Sequence, residues 1–296
     1  MNDYPDFERL ELKHKPVLDK YFLDSPPEIS EFTFTNLYSW RDYYNLQICC
    51  FEKMIIIKVT INGKDQFFPP IGQGDVKPVV KKILADYKTL FARVGERIAL
   101  LFKEDSQVEV IFDRDNSDYL YKITDLIHLE GKKYDGKRNH INNFKKNYQY
   151  QYLQFNTQNV EGIINFEQYW CTLKNCDISE GLSGERKALK DMVENFSQFN
   201  LMAAGIKIKG DIKAVSIAEK LNPSTLVLHV LKADPNFSGL YQLMLNEFLV
   251  NQAKNFELLN MEEDLGIQGL RKAKLSYHPI GFVNKYKIIQ NTDDYQ

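Results

Sequence analysis

The stretch from Leu201 to Val250 leaves few folds open to this chain. In "LMAAGIKIKGDIKAVSIAEKL" a Gly-Asp pair at 210–211 separates two runs rich in Ile, Val and Ala. That pattern predicts a β-hairpin pairing 201–208 with 212–219. After the "NPS" turn at 222–224, "TLVLHVLKAD" predicts a third strand, apolar enough to be central in its sheet. "DPNFSG" then breaks the pattern. "LYQLMLNEFLVNQAKN" predicts a helix, with Leu240, Met244, Glu247 and Phe248 at helical spacing. Apolar residues on nearly every side place that helix against a sheet rather than on the surface. "FELLNM" reads as the next strand, followed by the acidic turn "EEDLG", a short helix over "IQGLRKAKLSY" closed by "HP", and "FVNKYKII" as a last strand. Three antiparallel strands, a long helix and a returning strand make a mixed, mostly antiparallel sheet flanked by helices, an α+β unit.

The first half repeats this rhythm more faintly. "LQICCFEKMIIIKVTINGKDQFFPPIG" predicts two or three short strands, with "NGKD" as the last turn. "DVKPVVKKILADYKTLFARVG" predicts an amphipathic helix with Val79, Ile83, Tyr87 and Leu90 on one stripe. "RIALLF" reads as a strand, 105–115 as a helical stretch, and "YLYKITDLI" as the end of the unit. "EFTFTNLYSW" reads as an amphipathic helix or strand-to-helix turn that is mostly core. No repeat is visible in the residues themselves, yet the order of elements recurs. Two similar α+β modules are therefore expected, 1–128 and 129–296.

A length of 296 residues suits two domains of ordinary size. With 44% hydrophobic and 26% charged residues, the chain has the makings of packed cores and not the composition of a disordered one. A formal net charge of -2 excludes a protein whose whole surface coats nucleic acid, while leaving room for a local anion site. The opening "MNDYPDFERLEL" lacks a basic leader followed by an apolar run. The longest apolar bursts, "MIIIKV" and "IALLF", fall short of the roughly 18 residues of a membrane span. A cytoplasmic protein is the expectation. Cys49 and Cys50 point to opposite faces of a strand, and Cys171 and Cys176 lack the close spacing of common zinc or redox pairs, so no metal is expected.

Against that neutral background, "GKRNHINNFKKNYQYQY" (Gly136 to Tyr152) is concentrated in cations and amides: Lys137, Arg138, Lys145, Lys146, Asn139, Asn142 and Asn143. Asp135 is placed to cap a helix here, and Ile141, Phe144 and Tyr148 share one face. Two readings stay open. One is a surface helix with a solvated basic face. The other notes that Asn is a poor residue for a helix interior, so crowding Asn139, Asn142 and Asn143 into one turn suggests amides kept for hydrogen bonding.

Three long strings in order, "ISEFTFTNLYSWRDYYNLQI", "GKKYDGKRNHINNFKKNY" and "NMEEDLGIQGLRKAKLSYHP", resemble a bacterial family grouped with the catalytic C-terminal domain of phosphatidylglycerol lysyltransferase. The resemblance spans nearly the whole chain. It implies two tandem modules of the GNAT (acyl-CoA N-acyltransferase-like) fold, and the order of elements after residue 200 is similar to that fold as well. In GNAT proteins the acyl donor lies where a central strand splays from its neighbour, with its pyrophosphate at the start of the long helix, where unpaired N–H groups favour an anion. Here that position is "KADPNFSGLYQ", which makes Lys232, Ser238, Gly239 and Tyr241 substrate-binding candidates. The loop keeps only Gly239 of the several glycines usual in acetyl-CoA loops, a departure that argues against CoA. Relatives in the lysyltransferase group take an aminoacyl group from charged tRNA instead. The resemblance thus implies no bound cofactor, aminoacyl-tRNA as co-substrate, and peripheral contact with anionic lipid. It also turns Lys137 and Arg138, with Asn139 and Asn142, toward phosphate of a tRNA end or a lipid headgroup.

"NMEEDLGIQGLRKAKLSYHP" places Glu262, Glu263 and Asp264 before a short helix bearing Arg271, Lys272 and Lys274. Acids at a helix start and bases at its end complement the helix dipole without further purpose. The functional reading puts Glu262 or Asp264 at a strand end, holding an aminoacyl ammonium or deprotonating an acceptor, with Arg271 and Lys274 toward phosphate. Many GNAT enzymes set a Tyr shortly before a "GF" pair to protonate the leaving group. Tyr277 before Gly281 and Phe282 resembles that arrangement, although a core tyrosine explains it too. The leading expectation is an aminoacyltransferase moving an aminoacyl group from charged tRNA to a phospholipid or small-molecule acceptor. Its alternatives are an acyl-CoA-dependent N-acyltransferase with a degenerate phosphate loop and a non-catalytic RNA- or anion-binding module.

Overall fold

The structure, a computed structural model, describes residues 1–174 and 180–291. Cys176, weighed above as a metal ligand, lies outside the described residues. Along the chain come β1 (Glu8–Arg9), α1 (Lys15–Asp24), α2 (Phe34–Ser39), β2 (Gln47–Phe51), β3 (Met54–Ile61), β4 (Lys64–Ile71), α3 (Val76–Tyr87), β5 (Leu90–Gly95), α4 (Glu96–Ala99), β6 (Val108–Phe112) and β7 (Asp118–Lys122). Then follow α5 (Ile123–His128), α6 (Asp135–Asn147), β8 (Gln151–Gln154), α7 (Glu161–Lys174), α8 (Glu180–Glu194), α9 (Phe196–Phe199), β9 (Met202–Ile208), β10 (Asp211–Lys220) and β11 (Thr225–Ala233). The chain closes with α10 (Leu240–Gln252), β12 (Leu258–Asn260), α11 (Gln268–Leu275), β13 (Gly281–Val283) and β14 (Lys285–Gln290).

Two compact units result. Met1–Asp118, Glu263–Gln268 and the segment from Phe282 onward form one, Tyr119–Glu262 with Gly269–Gly281 the other. The sequence divides the chain at 128/129. The contacts divide it at 118/119 and carry the C-terminal strand to the first unit, because β14 inserts antiparallel between β5 and β6.

The first unit has the sheet order β1-β2-β3-β4-β5-β14-β6. Asn62 and Gly63 both take positive φ in the two-residue β3–β4 turn, the conformation an Asn-Gly hairpin requires. Helix α3 ends earlier than its apolar stripe suggests, at Tyr87, because Lys88 turns left-handed and Leu90–Gly95 is recruited as β5. "RIALLF", expected as a strand, is instead α4 and a 3₁₀ turn, and the expected helix near 105–115 has β6 at its centre, Val108–Phe112. Tertiary pairing beside β14 overrides local preference there. Ile56, Phe67, Val80, Ile83, Phe91, Val94, Phe102 and Ile288 fill the core. A buried ionic network lies beside it. Lys285 is wholly buried and donates to Asp118 Oδ1 at 2.6 Å, with Glu31 Oε2 also 2.6 Å away, while Arg93 Nε meets Glu31 at 3.0 Å.

In the second unit the order is β13-β7-β12-β11-β10-β9-β8. The expected hairpin is present, its turn shifted one residue to Lys209 and Gly210, both at positive φ. Helix α10 is apolar nearly all round because it is walled by the sheet on one side and by α5 and α6 on others. Leu240, Leu243, Met244, Leu245, Phe248 and Leu249 are all buried. The strands β11 and β12 run parallel for three residue pairs only, Thr225 with Leu258 to Val227 with Asn260, although β11 continues to Ala233. Beyond that point they splay.

Candidate active site

Two groups of side chains gather at this splayed, helix-covered part of the second unit. The first lines a closed crevice beside α5, α6, α10 and the end of α11, too tight as it stands to admit a water molecule, formed by Leu126, Leu129, Lys137, Ile141, Gln242, Leu245, Asn246 and Tyr277. Helix α6 delivers Lys137 on the same stripe as Ile141 and Phe144, which are buried against α10. Lys137 Nζ donates to Ser276 Oγ at 2.6 Å and lies 3.7 Å from the centre of the Tyr277 ring. No carboxylate among the described residues pairs with it. Burial alone pushes the Lys137 amine down to about 8. The ring face favours the ammonium by about 0.5–2 kcal/mol and offsets part of that push.

Tyr277 is held by its backbone. Tyr134 Oη donates to the Tyr277 carbonyl at 3.2 Å, and Tyr121 Oη donates to the Lys274 carbonyl at 2.8 Å, which fixes the end of α11. His278 Nε2 meets the Lys133 carbonyl at 2.9 Å on the far side. The Tyr277 hydroxyl itself takes no hydrogen bond among the described residues, and burial raises it well above the usual phenol range. A buried, protonated, unengaged phenol is suited to giving a proton.

The second group spans the splay. The register between β10 and β11 skips one residue, Ile217 facing Val230 and Ala218 facing Leu228, so His229 is the extra residue of a β-bulge. It sits two positions past Val227, and Glu262 two positions past Asn260, the last paired residues of β11 and β12. His229 Nδ1 and Glu262 Oε1 are 2.8 Å apart, as are His229 Nε2 and Glu219 Oε1. Burial would keep this imidazole neutral, but hydrogen bonds and charge from Glu219 and Glu262 outweigh it and raise the histidine to about 10. An imidazolium between two carboxylates thus bridges the mouth of the splay. Glu219 and His229 are not among the residues the sequence singles out; the one signal for His229 is a titratable side chain inside the apolar run "TLVLHVL".

The remaining expected residues are dispersed. Asp264 is wholly buried in the first unit, where it accepts from the Gly266 N–H at 2.9 Å and pairs with Arg114 at 3.3 Å. These contacts brace a turn. Arg138 is turned back onto its own neighbourhood, donating to the carbonyls of Leu129 and Gly131 and pairing with Asp135. Asp135 accordingly lies in the first turn of α6 rather than at its cap. Asn139 and Asn142 are exposed on the outer face of α6. Lys232 is buried and gripped by both oxygens of Glu167 at 2.8 and 3.0 Å, over the ring of Trp170, so it ties α7 to β11 instead of awaiting phosphate. Ser238 is exposed, Tyr241 packs against the α10 core, Arg271 is half-buried, and Lys274 is buried over Tyr119.

Gly239, at the start of α10, is where an acyl-CoA pyrophosphate would rest. It has φ +89, and a Cβ built there comes 2.4 Å from the backbone oxygen of His140. Helix α6 therefore lies directly on that helix start. Gly239→Ala is expected to cost about 1–3 kcal/mol from left-handed strain, with the clash in addition, and a urea titration against the unchanged protein would read it.

Comparison with known proteins matches residues 24–289 to the family model described as phosphatidylglycerol lysyltransferase, C-terminal. A conserved protein of unknown function from Bacteroides thetaiotaomicron is 31% identical, covering 96% of this chain and 99% of that one with a TM-score of 0.88. L-PGS from Bacillus licheniformis shares the fold at 14% identity, with 99% and 94% of the two chains covered and a TM-score of 0.64. An uncharacterized protein of Mycoplasmoides gallisepticum is 24% identical over 190 residues, and the match covers 63% of this chain and 60% of that relative's length. Both units are mixed sheets flanked by helices, the α+β class that the order of elements implies. No helix of the described residues is long and apolar enough to cross a membrane. With well over half of its length matched by the family model, the chain belongs to the phosphatidylglycerol lysyltransferase C-terminal family.

Proposed function

We propose that this protein is an aminoacyltransferase that moves an aminoacyl group from charged tRNA to a phospholipid or small-molecule acceptor. The observation that carries the reading is Tyr277, a buried phenol whose hydroxyl makes no hydrogen bond among the described residues, set beside Lys137 at the end of α11. An aminoacyl ester is already activated. Transfer needs the acceptor and the ester carbon held together, a base for the acceptor, and a proton for the departing ribose oxygen. Tyr277 supplies that last proton. Glu262, fixed by His229 at the mouth of the splay, is the carboxylate for the aminoacyl ammonium.

Two features disfavour CoA as the donor. The α6 backbone covers the helix start where a pyrophosphate would sit, and the His229–Glu262 bridge crosses the splay that a pantetheine arm would enter. The test is to incubate the purified protein with bulk tRNA charged with radiolabelled amino acids, with and without phosphatidylglycerol vesicles or a cell-extract acceptor fraction. Accelerated, amino-acid-selective loss of the ester, with label appearing in the acceptor, is the expected result. Retention of tRNA without turnover would instead favour a binding module. Saturable CoA binding without any effect on charged tRNA would favour the acyl-CoA alternative.

A further inference from the structure

We infer that the outward face of α6, formed by Asn139, Asn142, Asn143 and Lys146, is the surface on which this protein takes the sugar-phosphate backbone of an RNA. The inference rests on the aminoacyl-transfer reading for that RNA being a charged tRNA, and on the residues of the helix for the rest.

The four positions fall at i, i+3, i+4 and i+7, so their side chains share one stripe of α6. The stripe lies opposite Ile141 and Phe144, which are buried against α10. All four residues are exposed, and none makes a side-chain hydrogen bond or ion pair among the described residues. Other polar residues of the helix are committed. Lys137 Nζ reaches Ser276 Oγ at 2.6 Å, Lys145 pairs with Glu247 at 2.9 Å, and Arg138 donates to the Gly131 carbonyl at 2.9 Å and pairs with Asp135. Asp135 is the one acid of α6, and that pairing neutralises it. The stripe thus carries no uncompensated negative charge. Asparagine is among the weaker helix formers, because its amide competes for backbone groups. Three of them on a solvent face weaken α6 and return no contact within the protein.

The chemistry of the stripe selects its partner. A side-chain amide both donates and accepts, as a ribose 2′-hydroxyl does, and its N–H groups suit phosphate oxygens. The unpaired Lys146 adds attraction for phosphate. A row of such groups on a helix fits the wide, shallow minor groove of A-form RNA, where 2′-hydroxyls are displayed. A membrane surface is disfavoured, since no large apolar side chain lies on the stripe to enter it. A protein partner is disfavoured for the same reason, because such interfaces centre on apolar or aromatic anchors.

Fluorescence anisotropy of the full-length protein with a labelled RNA hairpin, and with a DNA hairpin of the same sequence, tests this. The unchanged protein is expected to hold the RNA more tightly than the DNA. The triple variant Asn139→Ala, Asn142→Ala, Asn143→Ala is expected to bind RNA about 10-fold or more weakly, from three lost hydrogen bonds. Alanine favours the helix, so this variant should melt no lower than the unchanged protein. Lys146→Gln should weaken binding and reduce the slope of log affinity against log salt by roughly 0.7–0.9. Lys20→Gln, at an exposed lysine of α1, should change neither. Full RNA affinity in the triple variant, equal affinity for the two hairpins, or no RNA binding at all would overturn the proposal. Phosphatidylglycerol vesicles that bind the unchanged protein but not the triple variant would assign the face to lipid instead. Turnover of charged tRNA separates this face from the transfer reading. If the triple variant consumes charged tRNA with an unchanged KM, the face fails and the transfer reading stands. If RNA binding follows the variants as expected but no charged tRNA is consumed, the transfer reading fails and the face stands.

Discussion

Tyr277→Phe is expected to lower turnover of charged tRNA by about 10²–10⁴-fold, the usual contribution of a positioned general acid, while leaving the fold as it is. The change removes one oxygen that makes no hydrogen bond among the described residues, so no partner is orphaned. The ring that Lys137 rests on remains, and the Tyr134 hydroxyl binds the residue-277 carbonyl, which the substitution does not touch. Turnover should therefore fall with little change in KM, the signature of an interaction made in the transition state. Because burial raises the Tyr277 phenol above its ordinary value, loss of its proton should not limit the rate at neutral or mildly alkaline pH. Initial rates with thermal melts alongside would check both halves. A variant that turns over like the unchanged protein would remove Tyr277 from the chemistry.

Much of the second unit was legible because its elements carry strong local signals. The β9–β10 hairpin, the central β11 and the all-round apolar α10 follow from alternation, a glycine turn and a run too apolar to be exposed. The first unit was harder where tertiary pairing decides. Leu90–Gly95 continues the helical stripe of α3 yet becomes β5, and "RIALLF" has the composition of a strand yet becomes helical. Nothing local in "FVNKYKII" shows that its first residues edge the second sheet as part of β13 while Lys285 onward joins the first as β14. The site divides in the same way. Lys137 and Tyr277 stand out as a cation in an unusual segment and a tyrosine before a "GF" pair. Whether Arg138 or Lys232 faces a ligand or a neighbour depends on carbonyls and carboxylates far along the chain or on loop geometry, which spacing does not encode. His229 matters through a bulge, and a one-residue slip in register leaves no local mark.

That bulge carries the second large effect. His229→Ala is expected to destabilise the protein by about 3–5 kcal/mol, because it removes the buried imidazolium that Glu219 and Glu262 each contact at 2.8 Å. The loss should depend on pH in a definite sense. The histidine is raised from 6.5 to about 10 in the folded state. Its contribution is fully present below pH 6.5, and it fades as pH climbs toward 10 and the folded imidazolium gives up its proton. His229→Gln separates charge from hydrogen bonding, since the amide keeps polar contacts at every pH but no charge. Urea midpoints at pH 6 should fall in the order His, Gln, Ala, and the gap between His and Gln should narrow toward pH 10. A gap that stays constant would mean the imidazole is neutral in the folded protein, with the two carboxylates kept apart by other means. The same imidazolium holds Glu262 Oε1 at the mouth of the splay, so its loss should raise KM for charged tRNA before stability fails. A bridge that served the fold alone would leave KM unchanged.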